Sequence, residues 1–128
     1  MAKGLNQIVD TNIIIRFLVG DEKSQQNQAR KYFKEAQLGK RKLIIKSIVV
    51  AEACFVLESF YKKTRPEISD AFQVFLSQKW LKVDERGVLL LLWQFYLKNL
   101  HFVDSYILSW SKVHNASVLS FDQKLLKK

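Results

Sequence analysis

At 128 residues, 48% hydrophobic and 26% charged, the chain is expected to fold as one globular domain spanning residues 1–128. The lone Cys54 excludes an internal disulfide, the greasiest run (Val88 to Leu97) contains Gln94 and is too short to cross a bilayer, and Lys3, Asn6, Gln7 and Asp10 break up any signal peptide, so a reducing cytoplasmic address is expected. Twenty-one lysines and arginines against 12 acids leave a formal charge of +9, which argues for a polyanionic partner.

Leu5 to Val9 reads as a short buried strand, and Thr11 to Val19 as a helix ended by Gly20. From Ser24 to Leu38 the apolar residues Ala29, Tyr32, Phe33 and Ala36 share one helical face, closed by Gly39. Lys42 to Lys46 is a second strand, and Ser47 reads as the N-cap of an apolar helix reaching about Lys62. Pro66 opens the next helix, with Ile68, Ala71, Phe72, Phe75 and Leu76 inward. Trp80 to Val83 is a third strand, followed by a helix from about Glu85 to Lys98. Another helix, from Val103 to His114, carries Val103, Tyr106, Ile107 and Trp110 on one stripe and ends at Asn115, a plausible left-handed residue. Ser117 to Ser120 reads as a fourth strand and the tail from Asp122 as a short helix. Strands alternating with helices predict an α/β domain with a parallel sheet, which binds ligands beyond the carboxyl ends of its strands.

Four acids stand inside or at the end of apolar runs. Asp10 follows Gln7-Ile8-Val9, Glu52 lies between Ile48-Val49-Val50-Ala51 and Ala53-Cys54-Phe55, Asp104 follows Phe102-Val103, and Asp122 follows Val118-Leu119-Ser120-Phe121. A buried, unpaired carboxylate is costly, and one shared cation would explain all four. Each also has a structural reading: Asp10, Asp104 and Asp122 as helix N-caps, and Glu52 in an ion pair with a lysine. Basic residues gather at Lys40-Arg41-Lys42, at Lys62-Lys63-Arg65 and at Lys124, Lys127 and Lys128. Acids around a cation on a basic body suit a metal-dependent nuclease.

Val9-Asp10-Thr11-Asn12, then Ser47-x4-Glu52, then Val103-Asp104-Ser105-x-Ile107, then Val118-Leu119-Ser120-Phe121-Asp122 resemble, in order, the four motifs of PIN-domain ribonucleases. Within that family the length and basic character are most like VapC-type toxins of toxin–antitoxin pairs. The resemblance implies a three-layer α/β/α fold with a short, mostly parallel sheet of four or five strands. It also implies a Mg²⁺- or Mn²⁺-dependent endoribonuclease with Asp10, Glu52, Asp104 and Asp122 as the acidic, metal-holding cluster, and with Thr11, Asn12, Ser47 and Ser120 as supporting polar residues. RNA is then the substrate, with a cognate antitoxin and a second copy of the chain as expected partners. Ser120 stands where threonine is commoner in the family, Ser105, Tyr106 and Trp110 are larger or more polar than usual after the third acid, and little chain follows Asp122 for a final strand.

His101 and His114 read as bystanders, and no phosphate-binding glycine loop or zinc-spaced Cys/His set is present. Phe17, Tyr61 and Tyr96 are conceivable stacking platforms for bases, with core packing the stronger reading. The run Val88 to Trp93 exceeds the needs of one helix face and reads as a core helix that also borders a homodimer or antitoxin contact. An inactive PIN-like module that binds RNA or protein is the competing function. A receiver-type phosphoacceptor ranks last, for want of paired early acids and a late lysine.

Overall fold

The computed structural model describes residues 6–126. They divide into two compact units, residues 6–62 with 78–84, and residues 63–77 with 85–126. No helix among the described residues is long and apolar enough to cross a membrane.

The first unit is the α/β one. Its strands β1 (Asn6–Ile8), β2 (Lys42–Ile45) and β3 (Lys82–Val83) form a parallel sheet in the order β1-β2-β3. Gln7 lies opposite Leu43, and Ile45 opposite Val83. The ladder extends one residue past the strands on either side, with Val9 N–H donating to Ile44 O (3.0 Å) and Asp84 N–H to Ile45 O (2.9 Å). The expected strand start at Leu5 lies outside the described residues.

Helices α1 (Thr11–Leu18) and α2 (Lys23–Gln37) pack on each other, and α1 also packs on α3 (Ser47–Ser59). Glu22 caps α2 by accepting from the N–H groups of Ser24 (2.9 Å) and Gln25 (3.3 Å). Gly39 ends the following turn at φ 81°, a conformation in which a side chain would be strained. Phe33 of α2 anchors the core, its ring 4.6 Å from Phe17 and 6.3 Å from Trp80. In α3 the buried residues Val50, Ala53, Cys54 and Leu57 fall at helical spacing. Lys46, and not the expected Ser47, occupies the N-cap position of α3. The helix stops at Ser59, short of Lys62, whose φ of 56° lies outside helical space.

The second unit contains no strand among its described residues. Helix α4 (Arg65–Leu76) begins with a capping box: Thr64 Oγ1 accepts from Glu67 N–H, while the Glu67 carboxylate accepts from Thr64 N–H. The helix expected over 85–98 is divided into α5 (Arg86–Leu91) and α6 (Trp93–Tyr96). At the junction Phe95 N–H bonds back three residues to Leu92 O, a tighter turn than an α-helix makes. The apolar run is absorbed into the core of this unit: Val88, Leu89, Leu92 and Trp93 are buried, and Trp93 stacks on Phe72 at 5.3 Å and 4°.

Helix α7 (Phe102–Val113) reverses the expected stripe. Its buried face is Ser105, Leu108 and Ser109, whereas Val103 and Trp110 are exposed. Small residues let α7 approach α5 closely, and their hydroxyls are satisfied by backbone carbonyls, Ser105 to His101 O (2.9 Å) and Ser109 to Val88 O (2.7 Å). Asn115 adopts φ 54°, as expected of the terminator, and α8 (Gln123–Leu126) ends the described chain.

The fourth strand expected over 117–120 is absent, so the sheet has three strands among the described residues and not four or five. The alternation that suggested a strand is present: Val118 packs on the cluster of Phe95, Leu100, Leu108 and Leu125, while Leu119 and Phe121 point to solvent. A residue just after α7 is pinned back by mutual bonds between Ser111 and Ala116. The segment has no regular secondary structure, and its own unit has no described strand for it to pair with.

Candidate active site

Asp10 follows directly on the end of β1 and occupies the N-cap position of α1, with extended backbone (φ −77°, ψ 156°). Its side chain makes no cap hydrogen bond, so the structural reading of Asp10 as a cap does not hold. The carboxylate is exposed and borders a hollow of about 350 Å³ whose walls include Gln7, Tyr32 and Arg41. Arg41 is held there by Glu35 (2.8 Å) and by the Gln7 side-chain oxygen (2.9 Å), with its guanidinium 4.8 Å over the Tyr32 ring.

Glu52 overturns the energetic premise that singled it out. It sits among apolar neighbours in sequence, yet the helical phase of α3 turns it outward with Ile48 and Phe55, both largely exposed, while Val50, Ala53 and Cys54 turn in. The lysine pair anticipated as its alternative is not formed among the described residues. The nearby Lys46 pairs instead with Asp84, at the ends of β2 and β3. Asp104 is the third residue of α7 and half-buried, so it lies past the cap position, which His101 holds. Asp122 is exposed and precedes α8; its N–H donates to Ser120 Oγ at 2.9 Å.

Thus none of the four acids is fully buried, and desolvation does not account for their positions. Asp10, Glu52 and Asp104 share a different property: their side chains form no hydrogen bond or ion pair among the described residues. Thr11 and Ser47 are the half-buried first residues of α1 and α3, and Asn12 is exposed beside Thr11. His114 stacks on Trp110 at 3.9 Å and contacts Trp110 O at 3.1 Å, a structural use of the ring. Tyr96 is fully buried and Phe17 packs on Phe33, which settles both as packing residues.

Asp10 and Glu52 belong to the first unit, Asp104 and Asp122 to the second. Within neither unit do three His, Cys, Asp or Glu side chains gather closely enough to hold a metal ion, among the described residues. The donor chemistry nevertheless fits a hard divalent cation, which prefers oxygen ligands and needs only one or two direct carboxylates. Within the first unit Asp10 and Glu52 are carboxylates of that kind, neither neutralised by a described lysine or arginine.

A parallel sheet with Asp10 directly after β1 and Glu52 in the first turns of the helix after β2 defines an α/β class of protein, in which ligands bind beyond the carboxyl ends of the strands. The family model of the PIN domain matches residues 8–128, and the chain belongs to the PIN-domain family, whose members are generally nucleases. No curated protein and no solved structure matches the chain.

A polar lining near Asp10 lies, apart from Asn12, outside the motif residues. Asn12 and Arg16 on α1, and Gln25, Gln28 and Tyr32 on α2, border a second hollow of about 280 Å³. The signal was the spacing: i, i+4 on one helix and i, i+3, i+7 on the other put these side chains on single faces.

Proposed function

We propose that this PIN domain is a Mg²⁺- or Mn²⁺-dependent endoribonuclease, with Asp10, Glu52, Asp104 and Asp122 as its metal-holding and catalytic acids. The observation that carries the reading is that Asp10, Glu52 and Asp104 have no side-chain partner among the described residues, although α1 offers Asp10 a cap bond it does not make. The order of the four motifs along the chain and the match to the family support it. Thr11, Asn12, Ser47 and Ser120 are the supporting polar residues, and Ser120 acts by holding the backbone N–H of Asp122. When bound, the ion supplies Lewis acidity to a phosphodiester and its attacking water. Exposed lysines, among them Lys40, Lys42, Lys62 and Lys63, hold the RNA backbone and leave the base edges free to be read elsewhere. The hydrolysis forms one bond from water oxygen to phosphorus and breaks one bridging P–O bond.

The length and +9 charge favour the toxin of a cytoplasmic toxin–antitoxin pair, with a cognate antitoxin and a second copy of the chain as partners. A second reading, an inactive PIN-like module that binds RNA or protein, is favoured by the lack of a three-residue metal cluster within either unit among the described residues. Incubating the purified protein with mixed cellular RNA, with Mn²⁺ or with EDTA, and mapping the cut ends separates the two. Discrete new ends that EDTA abolishes support the nuclease; intact RNA in both samples sinks it.

A further inference from the structure

We infer that the groove between α1 and α2 is a nucleobase subsite, which takes an unpaired base of the RNA beside the phosphate that is cut. The inference rests on the ribonuclease reading for its substrate and on the first unit alone for its geometry. The groove holds about 280 Å³, room for one base. Its apolar side is formed by Ile13, Ala29 and the Tyr32 ring, and its polar side by the amides of Asn12, Gln25 and Gln28.

The hydrogen bonds in the groove leave it with both donors and acceptors. Gln25 accepts from Arg16 Nε at 2.7 Å, which keeps its own amide N–H groups available. Gln28 donates one N–H to the Tyr32 hydroxyl at 2.8 Å and retains the other, together with its carbonyl oxygen. The Asn12 amide is unengaged among the described residues. Paired donors and acceptors over an apolar floor match the edge and face of a base, since amides read bases bidentately and unpaired RNA bases are recognised on edge and ring together.

A phosphate is a poorer occupant. Arg16, the one cation lining this groove among the described residues, is already engaged by Asp21 (3.4 Å), Gln25 and the Tyr61 hydroxyl (3.0 Å). The groove is thus suited to an uncharged ligand on a protein of strongly positive charge. Its position follows from the chain: Asn12 lies two residues after Asp10, at the same end of α1. Tyr32 and Ile13 also line the hollow that Asp10 borders, so the two spaces share a wall.

The test uses Gln28→Ala and the double variant Gln25→Ala/Gln28→Ala, both positions being exposed. Binding of a labelled single-stranded RNA hexamer is measured by fluorescence anisotropy in EDTA, so that no cleavage is required. The double variant is expected to bind the single strand about tenfold more weakly. It should bind a duplex of the same sequence as wild type does, and the slope of log affinity against log salt should stay the same, because amides release no counterions. Unchanged affinity for the single strand, or an equal loss for the duplex, overturns the subsite. The melting temperature of each variant serves as the folding control, and Gln28→Ala alone gives a smaller loss of the same kind if the double variant unfolds. Weakened binding by a chain that never cuts RNA keeps the subsite and removes the nuclease; cutting by wild type with normal binding by the variants does the reverse.

Discussion

The guanidinium of Arg65 lies 4.3 Å over the ring of Tyr96 and donates to two backbone carbonyls, Tyr96 O at 2.7 Å and Leu100 O at 2.6 Å. These carbonyls lie at and just beyond the carboxyl end of α6, where helices leave acceptors unsatisfied. In sequence Arg65 counted with Lys62 and Lys63 as part of a basic surface, whereas in the fold it ties α4 to the end of α6. Arg65→Ala removes two charge-assisted bonds and is expected to destabilise by about 3 kcal/mol. Arg65→Lys is expected to recover only part of that, because an ammonium cannot stack flat on the Tyr96 ring. Urea denaturation of the three proteins checks this, and equal midpoints for Arg65→Lys and wild type would refute the contribution of the stacked guanidinium.

Asp10 offers the opposite case, a side chain that contributes nothing visible to the fold. Exposed and without a cap bond, it is expected to tolerate Asp10→Asn within about 0.5 kcal/mol of wild-type stability. RNA cleavage should nonetheless fall to background. Mn²⁺ should raise the melting temperature of wild type by mass action and raise that of Asp10→Asn less. Calorimetry with and without Mn²⁺, beside a cleavage assay, reads all three outcomes. Equal Mn²⁺ stabilisation of both proteins would remove Asp10 from the metal-holding set.

The contrast between these residues shows what the sequence made legible. Elements marked by local chemistry are legible: the close of α2 before Gly39, the start of α4 at Pro66, and the stop at Asn115. What failed depended on partners. The stripe of α7 was misjudged because serines face the core, their hydroxyls bonded to carbonyls that hydropathy cannot foresee. The strand at 117–120 has the right alternation but no described neighbour in its own unit, and pairing is a non-local property. The acids were found for a reason the structure rejects. Apolar neighbours in sequence suggested burial, yet the 3.6-residue helical period places Glu52 outside.

Tyr106 donates its hydroxyl to the Glu85 carboxylate, with both oxygens 2.7 Å away. Partial burial, and then the hydrogen bond and negative charge of Glu85, push its pKa up to about 12 from an ordinary 10. The neutral phenol is the form the fold favours. The stabilisation is therefore fully present below pH 10 and is lost as the pH rises towards about 12. Ultraviolet titration should show a late phenolic step that loses one phenol in Tyr106→Phe and shifts in part to lower pH in Glu85→Gln. A late step of unchanged size in Tyr106→Phe would remove the shift from Tyr106.

Lys62 allows stability and RNA affinity to be driven apart by one substitution. It is exposed and held at φ 56°, a left-handed conformation that strains any residue with a Cβ. Lys62→Gly relieves that strain but adds freedom to the unfolded chain, for a net gain of about 0.5–1 kcal/mol. If Lys62 also neutralises an RNA phosphate, the same change should lower the slope of log affinity against log salt by about 0.7 for a single strand. The variant would then be more stable and bind more weakly, a combination that general damage to the fold cannot produce. Thermal melts and a salt series of anisotropy titrations measure the two effects. A higher melting temperature with an unchanged salt slope would take Lys62 off the RNA path while leaving the backbone argument standing.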